Sequence, residues 1–147
     1  MSKTLFITAA GPGVDKTGLV RGCAEVLRAK QKKIAIFAPV RCETMTCDAE
    51  YALTLSEVRA LINAGKRDQI IERILLKHAE LAKANDCVLS FGTDYAGPNP
   101  AFEFELNMDV AVNLQAAVLL AANALDECAQ TAAELRLSAS LMRERCV

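Results

Sequence analysis

The chain has 147 residues, 52% of them hydrophobic, and 17 Lys and Arg stand against 18 Asp and Glu for a formal charge of −1. That content suffices for one sizeable core and predicts a single domain over 1–147, while the balanced charge leaves no basic stripe for nucleic acid. The longest apolar stretch, 116–122, is too short to span a bilayer, and the N-terminus lacks the basic-then-apolar layout of a signal peptide, so a cytoplasmic location without membrane contact is expected.

The first element is an apolar β-type run at 4–8, feeding a glycine-containing loop that ends in Asp15-Lys16-Thr17 and opens into a helical pattern. This is the plan of a phosphate-binding loop: backbone N–H groups of a Gly-rich turn and a helix N-terminus converge on one anion, with a lysine and a hydroxyl beside them. Gly11, Gly13, Lys16 and Thr17 are therefore the candidate contacts for a nucleotide or a small anion. The pattern G-x-x-x-x-G-K-[ST] is nevertheless broken, with Ala10 at the first glycine position and Asp15 before the lysine. A carboxylate there repels a polyphosphate, and a Cβ restricts the backbone that aims the N–H groups inward. Asp15 has a second reading as a helix cap that fills the place of the phosphate.

Leu19, Val20, Cys23, Val26 and Leu27 recur at helical spacing up to Ala29, and Ile34 to Ala38 then form a short strand, closed by Pro39, that has no polar alternation. A helical pattern at 53–62 ends near Gly65, and a longer one follows with Ile70, Ile74, Leu75, His78 and Leu81 on one stripe. Residues 87–91 read as a strand, 92–100 as turn chemistry, 102–114 as a four-residue apolar step, and 117–122 as a fourth, buried strand. The last segment is helical, with Leu125, Cys128, Ala132, Leu135 and Leu141 on one face. Alternation of strand and helix predicts an α/β fold: a three-layer α/β/α sandwich with a mostly parallel sheet, whose ligands bind outside the carboxyl ends of the strands.

Six cysteines without secretory context are expected as free thiols, with Cys23, Cys87 and Cys128 acting as small hydrophobes. Cys42 and Cys47 with the lone His78 do not make a zinc pattern. His78 fits a packed helix position better than a catalytic one. Asp94, in the loop after the 87–91 strand, reads either as a turn residue or as a carboxylate able to reach a metal, and Asp48 and Glu50 read as loop acids.

The opening MSKTLFITAAGPGVDKT, together with KKIAIFAPV at 32–40, resembles the start of dethiobiotin synthetase, a P-loop enzyme whose second strand ends in Lys-Pro-Val. Residues 53–75, LTLSEVRALINAGKRDQIIERIL, and 86–121 resemble the amino-terminal domain of long bacterial phosphate acetyltransferases, which has the dethiobiotin synthetase fold. The resemblance covers most of the chain. It implies a parent enzyme that converts acetyl-CoA and phosphate to acetyl phosphate and CoA in a separate carboxyl-terminal domain, with this chain a fragment or a short relative. Departures bear on ATP chemistry: Asp15 replaces a glycine, Ala38 replaces a phosphate-binding lysine, and Phe91 stands where the family carries the glutamate on the magnesium side. In-line phosphoryl transfer relies on positioning and charge neutralisation, so ATP and magnesium are not expected as cofactors, and no catalytic or metal residue is assigned. The expected role is a non-catalytic regulatory or assembly domain, binding a small anionic effector or nucleotide, as a homo-oligomer or beside an attached catalytic domain. The alternative is an ATP- and Mg-dependent dethiobiotin synthetase-like enzyme, with Lys16 on the β/γ-phosphates and Thr17 on the metal.

Overall fold

Adjacent residues on the central strands turn to opposite faces and feed two separate cores, which is why these strands read as unbroken apolar runs. A computed structural model describes residues 2–30, 32–43, 47–95, 97–124 and 127–145. The elements are β1 (Lys3–Ala9), α1 (Thr17–Ala29), β2 (Ile34–Arg41), β3 (Glu50–Thr54), α2 (Leu55–Asn63), α3 (Asp68–Ala84), β4 (Cys87–Phe91), α4 (Pro100–Asn113), β5 (Ala117–Ala121) and α5 (Cys128–Glu144). The five strands form one sheet in the order β3-β2-β4-β1-β5, with every pairing parallel. Phe6, Phe37 and Val88 join Val58, Ile70, Ile74, Leu106 and Val110 in a core under α2, α3 and α4. Ile7, Ala38 and Leu89 turn the other way, onto Val20 and Ala24 of α1. Helices thus cover both faces, and the expected α/β sandwich is what the chain forms.

From β1 the chain leaves through α1 towards β2, and from β4 it leaves through α4 towards β5, in the opposite direction across the sheet. Because β1 and β4 are neighbours, their carboxyl ends form a switch point, the crevice in which parallel sheets of this kind place ligands. Local chemistry fixes the flanking helices. Thr54 and Glu57 form a capping box at the start of α2: the Glu57 amide donates to Thr54 Oγ1 at 3.3 Å, and the Thr54 amide donates to Glu57 Oε2 at 2.8 Å. Asn99 caps α4 by accepting the Phe102 amide at 3.1 Å, with Pro100 in the first turn.

The structure corrects four expectations. Residues 50–54 are a strand, so Glu50 is not in a loop and the helix expected from 53 starts at Leu55. This edge strand buries only Leu53 fully and leaves Tyr51 41% exposed, so its sequence lacks the apolar run of the inner strands. Pro39 does not close β2. Pairing with β4 ends at Phe37, and Pro39 has no registered partner on β3 either, so its missing N–H interrupts no ladder contact. The strand at 117–121 is not buried: β5 pairs with β1 at the sheet edge, and Leu119 is 36% exposed. On α5 the buried residues are Ser138 and Met142, while Cys128 and Leu141 of the expected stripe are exposed and Leu125 lies outside the described residues. Cys128 accordingly is no core hydrophobe, in contrast to the buried Cys87.

His78 is held within the α3 stripe, its Nε2 2.9 Å from Thr4 Oγ1 and its ring tilted on Phe37 with centroids 6.3 Å apart. Burial pushes its pKa below the ordinary histidine value.

Candidate functional site

The loop from β1 to α1 is pinned from both ends. The Ala10 amide donates to the Ala121 carbonyl at 2.8 Å, Ser138 Oγ donates to the Ala10 carbonyl at 3.3 Å, and Asn123 Nδ2 donates to the Gly13 carbonyl at 2.8 Å. Gly13 sits at φ +79°, a left-handed backbone that a side chain would strain. Gly11, Gly13, Lys16 and Thr17 therefore lie together at the turn into α1, and the Gly13 carbonyl, the Lys16 ammonium and the Thr17 amide are engaged. Lys16 is 3% exposed, and its Nζ donates to Asp94 Oδ1 at 2.6 Å and to the Thr93 carbonyl at 3.1 Å. The Thr17 amide, the first of α1, donates to Asp15 Oδ1 at 2.9 Å. Lys16 is the N-cap residue and its side chain makes no cap bond, so the Asp15 carboxylate one step earlier performs that task. A polyphosphate does not fit this arrangement as it stands. It would meet the Asp15 carboxylate on the helix N-terminus and would have to displace Asp94 from the lysine.

Asp94 owes its place to the loop after β4. The Thr93 amide donates to Asn107 Oδ1 at 3.0 Å, and Asn107 Nδ2 donates to Thr93 Oγ1 at 3.2 Å, so one buried amide on α4 fixes the N–H and the hydroxyl of Thr93. Gly92 admits that amide, since a Cβ there would lie 2.8 Å from Asn107 Cγ. Tyr95 follows in the left-handed region at φ 56°, buried, with its hydroxyl 3.5 Å from Thr8 Oγ1. On the other side Cys42 lies against the same loop. Burial pushes its thiol pKa up, and a backbone hydrogen bond from Asp94 works in the opposite direction.

Beyond Cys42 a cavity of about 360 Å³ opens between the ends of β2 and β3, the start of α2 and the first turn of α4, with Arg41, Arg59 and Glu103 among its walls. Glu103 is 2% exposed; its Oε1 accepts the Gly97 amide at 2.8 Å, and its Oε2 has no partner among the described residues.

Of the other positions singled out in the sequence, Ala38 and Phe91 are buried in the α1-side core. Glu50 pairs with Lys77 at 3.1 Å, and Asp48 is exposed. Among the described residues no group of three or more His, Cys, Asp and Glu could hold a metal ion, and no helix is long and apolar enough to cross a membrane. Thr93, Asn107, Arg41, Arg59 and Glu103 were invisible to motif reasoning. A signal existed for two of them: Glu103 and Asn107 stand at helical spacing with the apolar Leu106, Val110 and Ala111, which places polar groups on the inward face of α4.

A parallel sheet, helices on both faces and a lysine-bearing turn between the first strand and the first helix define an α/β protein of the phosphate-loop plan. The chain is homologous to a part of phosphate acetyltransferase. The phosphate acetyltransferase of Nitratidesulfovibrio vulgaris is 33% identical over 165 residues, covering 99% of this chain and 23% of that protein. Those of Synechocystis sp. and Haemophilus influenzae are 28% and 27% identical over 85% and 83% of the chain. The chain spans about a fifth of the length of these curated relatives, as an amino-terminal domain of a long enzyme would. No protein-family model matches it. Among solved structures, an apo GTPase from Pyrococcus abyssi superposes with a TM-score of 0.43 and 16% identity, covering 92% of this chain and 72% of that one.

Proposed function

We propose that this chain is a non-catalytic regulatory or assembly domain, set beside a catalytic unit that interconverts acetyl-CoA and phosphate with acetyl phosphate and CoA. The observation that supports this reading is the use of Lys16. A phosphate-loop lysine works by placing an unpaired ammonium against a transferring phosphoryl group, and here that ammonium is buried on Asp94 and a carbonyl. Assembly is favoured by the β5 edge, where Leu119 is 36% exposed, and by α5, where Leu137 is 64% exposed. On this reading the protein is a cytoplasmic oligomer, and any anion contact by Gly11, Gly13, Lys16 and Thr17 requires Lys16 to exchange Asp94 for the anion.

An ATP-turnover assay with magnesium, run on the full chain and on Lys16→Ala, decides between this and the dethiobiotin synthetase-like alternative. The expected result is no lysine-dependent phosphate release. Magnesium-dependent turnover that vanishes in Lys16→Ala would overturn the proposal. Sedimentation velocity tests the assembly half, which predicts concentration-dependent association; a strict monomer at high concentration removes it.

A further inference from the structure

The cavity beside Cys42 carries the feature that the loop at 10–17 lacks, a buried carboxylate with one oxygen left unpartnered. Glu103 belongs to the first turn of α4 and is 2% exposed, yet only Oε1 is engaged, by the Gly97 amide. Its Oε2 is unpartnered among the described residues and has almost no surface open to solvent, on a side chain that lines the cavity, so a ligand donor meets it after a turn of the carboxylate. A buried carboxylate oxygen without a donor is costly, and a ligand donor that reaches it recovers that cost.

Opposite charge is near. Arg59, on α2, brings Nη2 to within 3.4 Å of where a Cβ on Gly97 would stand, and the same Cβ would run into Glu103 Oε1. Gly97 is thus the point on which Arg59 and Glu103 converge, and any side chain there would push one of them away. Arg41 joins the wall from the end of β2, its guanidinium stacked over the Tyr51 ring at 5.2 Å from the centroid. The N-terminal turn of α2, closed by the Thr54 and Glu57 capping box, borders the same space. Glu43 supplies a second carboxylate, so the charged lining is two cations and two anions, while Leu55 and Pro98 add apolar wall. A net-neutral lining that carries both signs complements a ligand that carries both. The volume of about 360 Å³ lies near the lower end of the roughly 300–1,000 Å³ typical of small-molecule sites.

We infer that this cavity binds a small zwitterion of amino-acid type, its carboxylate held by Arg59 and Arg41 at the start of α2 and its ammonium donating to Glu103 Oε2. An ammonium is preferred over a hydroxyl because it brings a full positive charge to the buried carboxylate, where a hydroxyl brings only a dipole. As the effector site of a regulatory domain the cavity rests on the reading proposed above, but the binding is measured apart from it. ATP turnover would remove the regulatory reading and leave the zwitterion site standing.

Titration calorimetry of the full chain with each of the twenty protein amino acids tests the assignment. At least one is expected to bind saturably, and at least tenfold more tightly than its matching hydroxy acid. Glu103→Gln retains an acceptor for the Gly97 amide and removes the charge; Arg59→Gln alters an exposed side chain and leaves the core untouched. Each is expected to weaken binding at least tenfold, and if Glu103→Gln fails to fold, Arg59→Gln decides. Lys83→Met, at the exposed end of α3 and outside the cavity, is expected to leave the affinity unchanged. Saturable heat from none of the twenty, a hydroxy acid that binds as tightly, undiminished affinity in both pocket variants, or loss of binding in Lys83→Met would each overturn it.

Discussion

Lys16 and Arg59 both stand at the carboxyl end of the sheet, yet their surroundings differ in kind. Lys16 is 3% exposed and closes onto Asp94, 78 residues away in sequence, tying the loop after β1 to the loop after β4. Arg59 is exposed and faces a cavity whose one buried carboxylate has a vacant oxygen. A lysine in a phosphate-loop position serves as a strut between two loops, while the neighbouring crevice keeps one buried carboxylate oxygen unsatisfied. Motif position therefore tells less about binding than the state of the hydrogen bonds around each charge.

The strut is most exposed to attack at its support. Asn107→Leu would strip both partners from buried Thr93 and is expected to cost roughly 2–4 kcal/mol in urea unfolding, from two lost hydrogen bonds and the groups they leave unpaired. Lys16→Met removes the ammonium directly and should cost less, about 1–2 kcal/mol, because the Asp94 side chain is 37% exposed and rehydrates. A Lys16→Met chain as stable as the wild type, measured the same way, would mean that the pair is not a strut and would dissolve the contrast with Arg59.

On the cavity side, Thr54→Ala breaks the capping box at the start of α2 and is expected to cost about 1 kcal/mol. Its hydrogen bonds with Thr54, backbone first, hold the Glu57 carboxyl below its ordinary pKa. That contribution is complete above the unfolded value and fades as pH falls through the folded one, so thermal melts at low pH should show a smaller penalty for Glu57→Gln than melts at neutral pH.

The smallest effect belongs to His78, remote from both sites. Its folded pKa is depressed by burial, so the unfolded chain binds more protons below the unfolded value of about 6.5, and stability declines as pH falls through that window. The slope stays under about 1.4 kcal/mol per pH unit, and His78→Gln should flatten it in pH-dependent unfolding.

The parallel core was legible because strands covered on both faces must be continuously apolar, as Phe6-Ile7 and Val88-Leu89 illustrate. The edge strands were not: β3 mixes Glu50 and Tyr51 with one buried leucine, and β5 looks internal by composition although it lies at the rim. On α5 the fully buried positions are Ser138 and Met142; Ala132 and Leu135 of the expected stripe are half-buried beside them, and Cys128 and Leu141 are exposed, so hydrophobicity located the face only in part. The site divides in the same way. The loop at 10–17 announced itself through local spacing, and the reading of Asp15 as a helix cap matches the bond its carboxylate accepts from the Thr17 amide. That Lys16 would meet Asp94 could not, because the contact depends on the neighbouring of β1 and β4, which no short-range pattern encodes.

The edge position of β5 has a practical side. Among the described residues the strand pairs only with β1, and its sequence, AVLLA, contains no charge and no proline. Lysines, prolines and bulges are the devices by which exposed edges discourage cross-molecular ladder formation, and this edge has none of the first two. Handled alone, the chain presents a template for stacking against its own kind, so colloidal behaviour more than folding free energy sets the concentration at which it stays in solution.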